Sequence, residues 1–176
     1  GLVVMGMVYA IGNISGAHMN PAVALGFTLT NRLSWKDTPV YLVAQLIGSV
    51  AAASALRVSL GTAGELGKHI PSVGAIQSLG LEIVITFLLM FVIMSVTTQE
   101  NDLSTVSGIA IGGMVALGIL LGGPISGGSM NPIRSFGPAL VLFDWTHHWI
   151  YWAGPLLGSA IGAFSYRFLA SHYGNT

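Results

Sequence analysis

The stretch Ile14-Ser15-Gly16-Ala17-His18-Met19-Asn20-Pro21-Ala22-Val23-Ala24-Leu25-Gly26 returns 111 residues later as Ile125-Ser126-Gly127-Gly128-Ser129-Met130-Asn131-Pro132-Ile133-Arg134-Ser135-Phe136-Gly137, with seven of thirteen positions identical. In both copies Asn-Pro follows a Gly/Ser-rich approach, Gly12 to Ala17 and Gly122 to Gly128. Asn is a favoured helix N-cap, and Pro is tolerated at the first helical position, where its missing N–H would be unpaired anyway. Each Asn-Pro therefore predicts a helix start, and the glycines before it predict the end of the preceding helix. The helices that begin there are expected to be short, Pro21 to about Thr30 and Pro132 to about Leu142.

The surroundings of these motifs place them in lipid. Asp, Glu, Lys and Arg make up only 7% of the 176 residues while hydrophobic residues make up 53%, against roughly 25% charged in soluble proteins. Six basic side chains balance six acidic ones, so no basic face invites nucleic acid. The 24 glycines suit close helix approach in a membrane bundle. The charges cut the chain into pieces near the ~20 residues a span needs. Gly1 to Asn31, Thr38 to Leu56, Ile83 to Gln99, Leu103 to Ile133 and Trp145 to Tyr166 are uncharged, which makes five candidate spans. Polar connections fall at Asn31 to Asp37, Gly61 to Ser78 and Thr97 to Ser104, none long enough for a further domain, so residues 1–176 read as one domain. Arg32, Lys36 and Arg167 fall on one side, which the positive-inside rule makes cytoplasmic.

Three spans separate the two copies, and an odd number turns the second upside down: an inverted repeat. Irregular backbone inside a bilayer is tolerated only where protein covers it or a watery cavity adjoins it, so the Gly-rich approaches predict a lumen. Loop carbonyls would face it as acceptors and the amides of Asn20 and Asn131 as donors, while two helix N-termini add positive potential. Such a lumen suits a neutral hydrogen-bonding solute and opposes cations. With no cysteine, thiol chemistry is excluded. No nucleophile, base and orienting acid can be assembled, so the chain does not read as an enzyme, and no metal or cofactor is called for.

These paired Ser-Gly-x-x-x-Asn-Pro motifs resemble those of the aquaporin, or major intrinsic protein, family, over practically the whole chain. Gly1-Leu2-Val3-Val4-Met5 and Gly123-Pro124-Ile125-Ser126-Gly127 are most similar to the nodulin-like intrinsic proteins and their bacterial relatives. The resemblance implies an all-α membrane protein, an aquaporin-like helical bundle with an inverted repeat and two re-entrant half-helices. It also implies that the family's first transmembrane helix is absent from these 176 residues. The pore motifs would be Asn20-Pro21-Ala22 and Asn131-Pro132-Ile133, the second departing from the family's Asn-Pro-Ala by its bulky Ile133. By carry-over from the motif spacing, the selectivity filter would include Arg134, Gly128 and Ile119, with a fourth position preceding Gly1.

Ile119 in place of a polar filter residue, beside the small Gly128, favours a solute with carbon or metalloid bulk. The resemblance implies passage of water and small uncharged solutes such as glycerol, urea, boric acid, silicic acid or arsenous acid, in a homotetramer within a multi-pass membrane location, the plasma membrane being expected. Glu82 lies inside a span and reads as a carboxylate bracing loop backbone rather than a proton carrier. His18 reads as a loop brace rather than a metal ligand, and Gln45 as a partner of either a loop carbonyl or a neighbouring helix. His147, His148 and the aromatic residues from Trp145 to Trp152 look like an interfacial belt. Two other readings stay open: a secondary transporter with broken helices, for which Glu82 would carry the coupling proton, and a non-conducting structural membrane protein, favoured only by Ile133.

Overall fold

The computed structural model describes residues 1–98 and 103–173, so the middle half of the connection read at Thr97 to Ser104 lies outside the described residues. Among the described residues seven α-helices follow one another: α1 (Leu2–Ser15), α2 (Pro21–Leu29), α3 (Thr38–Leu60), α4 (Ala75–Thr98), α5 (Leu103–Gly122), α6 (Pro132–Leu142) and α7 (Ile150–Tyr173). No strand occurs among the described residues. Among the described residues two helices, Thr38–Leu60 and Ala75–Thr97, are long and apolar enough by length and composition to cross a bilayer. Helix α4 starts at Ala75, a few residues before the expected end of the polar connection at Ser78, and carries Glu82 in its interior as expected. Likewise α7 runs on past Arg167 to Tyr173.

The distribution of side chains is that of a protein in lipid. Leu2, Ile14, Val58 and Phe143 are each about four-fifths exposed, whereas Thr28, Ser78, Glu82, Thr86, Ser126 and Ser159 are fully buried. The inner core is still apolar, with Ile85, Leu89, Met90, Ile93 and Met94 of α4 packed against Val23 and Phe27 of α2 and Met130 of the second loop. Helix α7 lies close on α4 because Gly154, Gly158 and Gly162 present bare backbone at four-residue spacing. A Cβ added at Gly154 would stand 2.6 Å from Glu82 Cβ, and one at Gly162 2.6 Å from the Phe87 carbonyl oxygen. Stripes of small residues of this kind let membrane helices approach where lipid offers no hydrophobic drive.

The two short helices start where the cap chemistry predicts. Asn20 is extended and its side-chain oxygen accepts from Ala22 N at 2.9 Å, while Asn131 does the same for Ile133 N at 3.2 Å. The approaches end the preceding helices, the first through the left-handed Gly16. Then α2 packs on α7 and α6 on α3, so each half-helix is held by the opposite half of the chain. Contacts also assign the ends. Lys68 pairs with Asp144, and Arg57 donates to the Val141 carbonyl, at one end of the bundle. Arg32 donates to Thr97 Oγ1 at 3.0 Å at the other.

Candidate functional site

The two re-entrant loops meet through their asparagines. Asn20 Nδ2 donates to the Met130 carbonyl at 2.7 Å, and Asn131 Nδ2 donates to the Met19 carbonyl at 3.0 Å. This reciprocal pair locks the N-termini of α2 and α6 against each other. A primary amide carries two N–H groups, so each asparagine keeps one donor beyond the one used in the lock. Both residues line a cavity of about 440 Å³. One wall of the cavity is apolar, from Val4, Val8, Leu89, Ile93, Ile111 and Val115, and the other carries Asn20, Asn131 and the loop backbone.

The cavity reaches Arg134 on one side and Arg32 on the other. The Arg134 guanidinium is not paired with a carboxylate among the described residues; its Nη1 donates to the carbonyls of Gly128 at 2.6 Å and Ser129 at 3.2 Å. Arg32 sits over the Phe27 ring, 4.9 Å from its centroid. The loop carbonyls expected to face the lumen as acceptors are largely engaged. Met19, Met130, Gly128 and Ser129 accept from Asn131, Asn20 and Arg134, His18 from Gln45 Nε2, and Ser126 from Tyr151 Oη at 2.7 Å. A carbonyl oxygen has two lone pairs, so each of these keeps one acceptor position beyond the hydrogen bond it accepts.

Gly128 is in the left-handed region at φ 61°, and a Cβ there would stand 3.1 Å from Ile119 Cα and from the Gly118 carbonyl oxygen. Ile119 thus backs Gly128 directly, beside the carbonyl on which Arg134 rests. Ile133 does not line the cavity. It borders a second hollow of about 350 Å³ between α1 and α3, with Ile11, Tyr41, Gln45 and Ser49. Pro21, Ala22 and Pro132 are buried in the half-helix starts.

The second loop hangs on Glu82. Its carboxylate accepts from Ser126 Oγ at 2.7 Å, Ser129 N at 2.8 Å and Met130 N at 2.8 Å. In lipid, backbone N–H groups without an internal partner would each cost several kcal/mol, and here one buried side chain absorbs two of them. The first loop is held differently. Gln45 Nε2 donates to the His18 carbonyl, Tyr41 Oη to the Ser15 carbonyl at 2.8 Å, and the His18 ring stacks on Phe27 with centroids 4.6 Å apart. Gln45 is therefore a loop partner rather than a helix partner, and His18 contributes its ring face.

Sequence reasoning missed His69. It lies in the α3–α4 connection but is only 5% exposed. Its Nδ1 shares a hydrogen bond with Ser135 Oγ at 2.9 Å. Burial, then the nearby charge of Arg134 and then His148 pull its pKa down to about 3, so the ring is neutral at pH 7. No spacing signal could have found it, because its partner is 66 residues away. The same connection carries Lys68, whose ammonium is held above its usual pKa by Asp144, while Asp144 is held well below the usual carboxylate range by Lys68. No cluster of three or more potential metal ligands occurs among the described residues.

The family model described as Major intrinsic protein matches residues 1–166. Aquaporin NIP1-1 of Zea mays is 44% identical over 175 residues, covering 96% of this chain and 60% of the relative. Aquaporin NIP1-4 of Oryza sativa subsp. japonica is 46% identical over 175 residues, covering 96% and 62%. The chain thus spans about three-fifths of the length of these relatives. An X-ray structure of the aquaglyceroporin from Plasmodium falciparum superimposes with a TM-score of 0.77 at 22% identity, covering 99% of this chain and 79% of that one.

Proposed function

This chain belongs to the major intrinsic protein family, whose members are integral membrane channels and not enzymes, and on that premise we propose that it forms a passive pore for water and small uncharged solutes. The observation that carries the proposal is the reciprocal lock of Asn20 and Asn131 beside a cavity with one apolar and one hydrogen-bonding wall. A molecule such as glycerol, urea or boric acid offers hydroxyl or amide groups to one wall and carbon or boron bulk to the other. Water needs only the polar side.

Arg134, Gly128 and Ile119 act as the filter, with Arg134 rejecting cations and setting the width. Asn20 and Asn131 orient the permeating molecule, and the opposed positive ends of α2 and α6 oppose proton passage. Glu82, Gln45 and His18 brace the loops. Glu82 is fully buried and already accepts three hydrogen bonds, which supports a fixed strut over a coupling-proton carrier. Ile133 borders the second hollow and not the cavity, which weighs against a non-conducting structural role. The pore works within a homotetramer in the plasma membrane, each protomer carrying its own conduit.

Stopped-flow light scattering of vesicles holding the full-length protein tests this. Shrinkage in sorbitol and re-swelling in glycerol or boric acid should rise in proportion to solute concentration and ignore imposed ion gradients. Saturating flux that follows a proton or sodium gradient would point to a transporter instead.

A further inference from the structure

The α3–α4 connection is a strap tied to the outer end of the bundle at three places. Lys68 pairs with Asp144, His69 bonds Ser135, and Ser72 N donates to the Ile125 carbonyl at 2.8 Å. The middle tie is the unusual one. From Ser135 the hydrogen bonds continue to Ser129 Oγ at 2.7 Å, which donates to the Asn131 carbonyl at 2.9 Å. The carbonyl of that same Ser129, with that of Gly128, holds the Arg134 guanidinium. On its other side the His69 ring lies against Tyr151, centroids 5.4 Å apart, and Tyr151 in turn holds the Ser126 carbonyl. The ring also presses on the loop itself, since a Cβ at Gly127 would stand 3.0 Å from His69 Cδ2.

We propose that His69 is a positioning residue of the filter: through Ser135 and Ser129 it fixes the two carbonyls on which Arg134 rests. This rests on the reading of Arg134 as the filter arginine. Bulk alone does not account for a histidine at this place. Its Nε2 is buried without a hydrogen-bond partner among the described residues, a cost that an apolar side chain of similar size would avoid. The ring stays neutral near pH 7, so it adds no charge to repel the neighbouring guanidinium and serves only as a hydrogen-bonding strut. Freed of it, Ser135 and Ser129 can turn, and the Arg134 fork shifts with its carbonyls.

The test compares glycerol and water permeabilities in vesicles bearing the full-length protein. Their ratio does not depend on how much folded channel is present, so a merely structural defect lowers both and leaves the ratio unchanged. His69→Leu, which keeps bulk and removes the hydrogen bond, should change the ratio by about threefold to tenfold, the range expected for one lost buried hydrogen bond. His69→Asn, which can still reach Ser135, should stay within about twofold of the wild type. Ser135→Ala should reproduce the effect of His69→Leu, and the double variant should add nothing to either, which keeps the test alive should one variant fail to fold. A conducting wild type whose ratio is untouched by His69→Leu and Ser135→Ala overturns the role of His69 alone. A silent wild type overturns the channel reading, and the role of His69 with it.

Discussion

The two halves of the inverted repeat share a plan and differ in the side chains that the described residues bring to each loop. Tyr41 of α3 donates to the Ser15 carbonyl, and 110 residues later Tyr151 of α7 donates to the carbonyl of Ser126, the counterpart of Ser15. Ser49 donates to the Ile133 carbonyl, and Ser159, again 110 residues on, donates to the carbonyl of Ala22, the counterpart of Ile133. So the duplication extends beyond the motifs into the hydrogen bonds that seat them. The difference is α4. It packs between α5 and α7 and delivers Glu82 to the second loop, whereas the first loop takes Tyr41 and Gln45 from α3. Matching hydrogen bonds thus align both loops, and Glu82 adds a carboxylate acceptor to the second. That loop carries Arg134, at the position where the first copy has Val23.

The largest effects belong to that functional asymmetry. Arg134→Ala should change the glycerol to water permeability ratio by about tenfold or more, as expected when a charged hydrogen-bonding group is lost from a narrow passage. Asn131→Asp should alter flux or selectivity strongly as well, because it places a carboxylate in the reciprocal lock. Arg167→Ala, beyond the conduit in α7, should leave both near wild type. Similar changes in all three, measured on the same vesicle preparations, would sink the assignment of the second loop as the filter.

Next come the struts. Glu82→Ala leaves the N–H groups of Ser129 and Met130 without their acceptor, a loss of about 3 kcal/mol or more in a buried site. Gln45→Ala removes one neutral donor from the His18 carbonyl and should cost about 1 kcal/mol. Thermal unfolding in detergent, followed by the recovery of folded protein, separates the two. Equal losses would mean that the loops are held equally, contrary to the difference between Glu82 and Gln45. Tyr151→Phe and Tyr41→Phe remove matching bonds and should each cost about 1 kcal/mol, with Tyr151→Phe the larger because Tyr151 is only 1% exposed.

How much of this was legible in the sequence follows from how local each interaction is. Asn-Pro marks both half-helix starts because capping is settled within three residues, and the observed ends at Leu29 and Leu142 fall within one residue of the expected ones. The duplication was readable because identical residues recur at a fixed offset, and its inversion because spans can be counted. The uncharged runs alone fall short of the ends of α4 and α7, because a charge need not end a helix: Glu82, read as inside a span, is buried by loop donors that lie 44 to 48 residues away. The fate of the loop carbonyls was not legible either, for their donors come from Tyr151, Gln45 and Arg134 on three different helices. His69 belongs with them. A loop histidine carries no periodic signal, and only the folded strap brings it to Ser135.

The smallest expected effect is at the outer tie of the strap, where Lys68 meets Asp144. Asp144 is about one-third exposed, and ion pairs open to solvent contribute little, so Lys68→Ala should leave the permeability ratio unchanged while His69→Leu moves it. The pH dependence has a definite sign. Asp144 is held below its usual 3.8 in the folded protein, so the unfolded chain takes up a proton first as the pH falls. The tie's contribution is therefore complete above about pH 4 and declines below it. The unfolding temperature of the wild type should fall a little more steeply than that of Lys68→Ala between pH 5 and pH 3, and the two curves should run parallel above pH 5. If Lys68→Ala instead shifts the glycerol to water ratio as far as His69→Leu does, then the strap as a whole, and not its histidine, sets the filter.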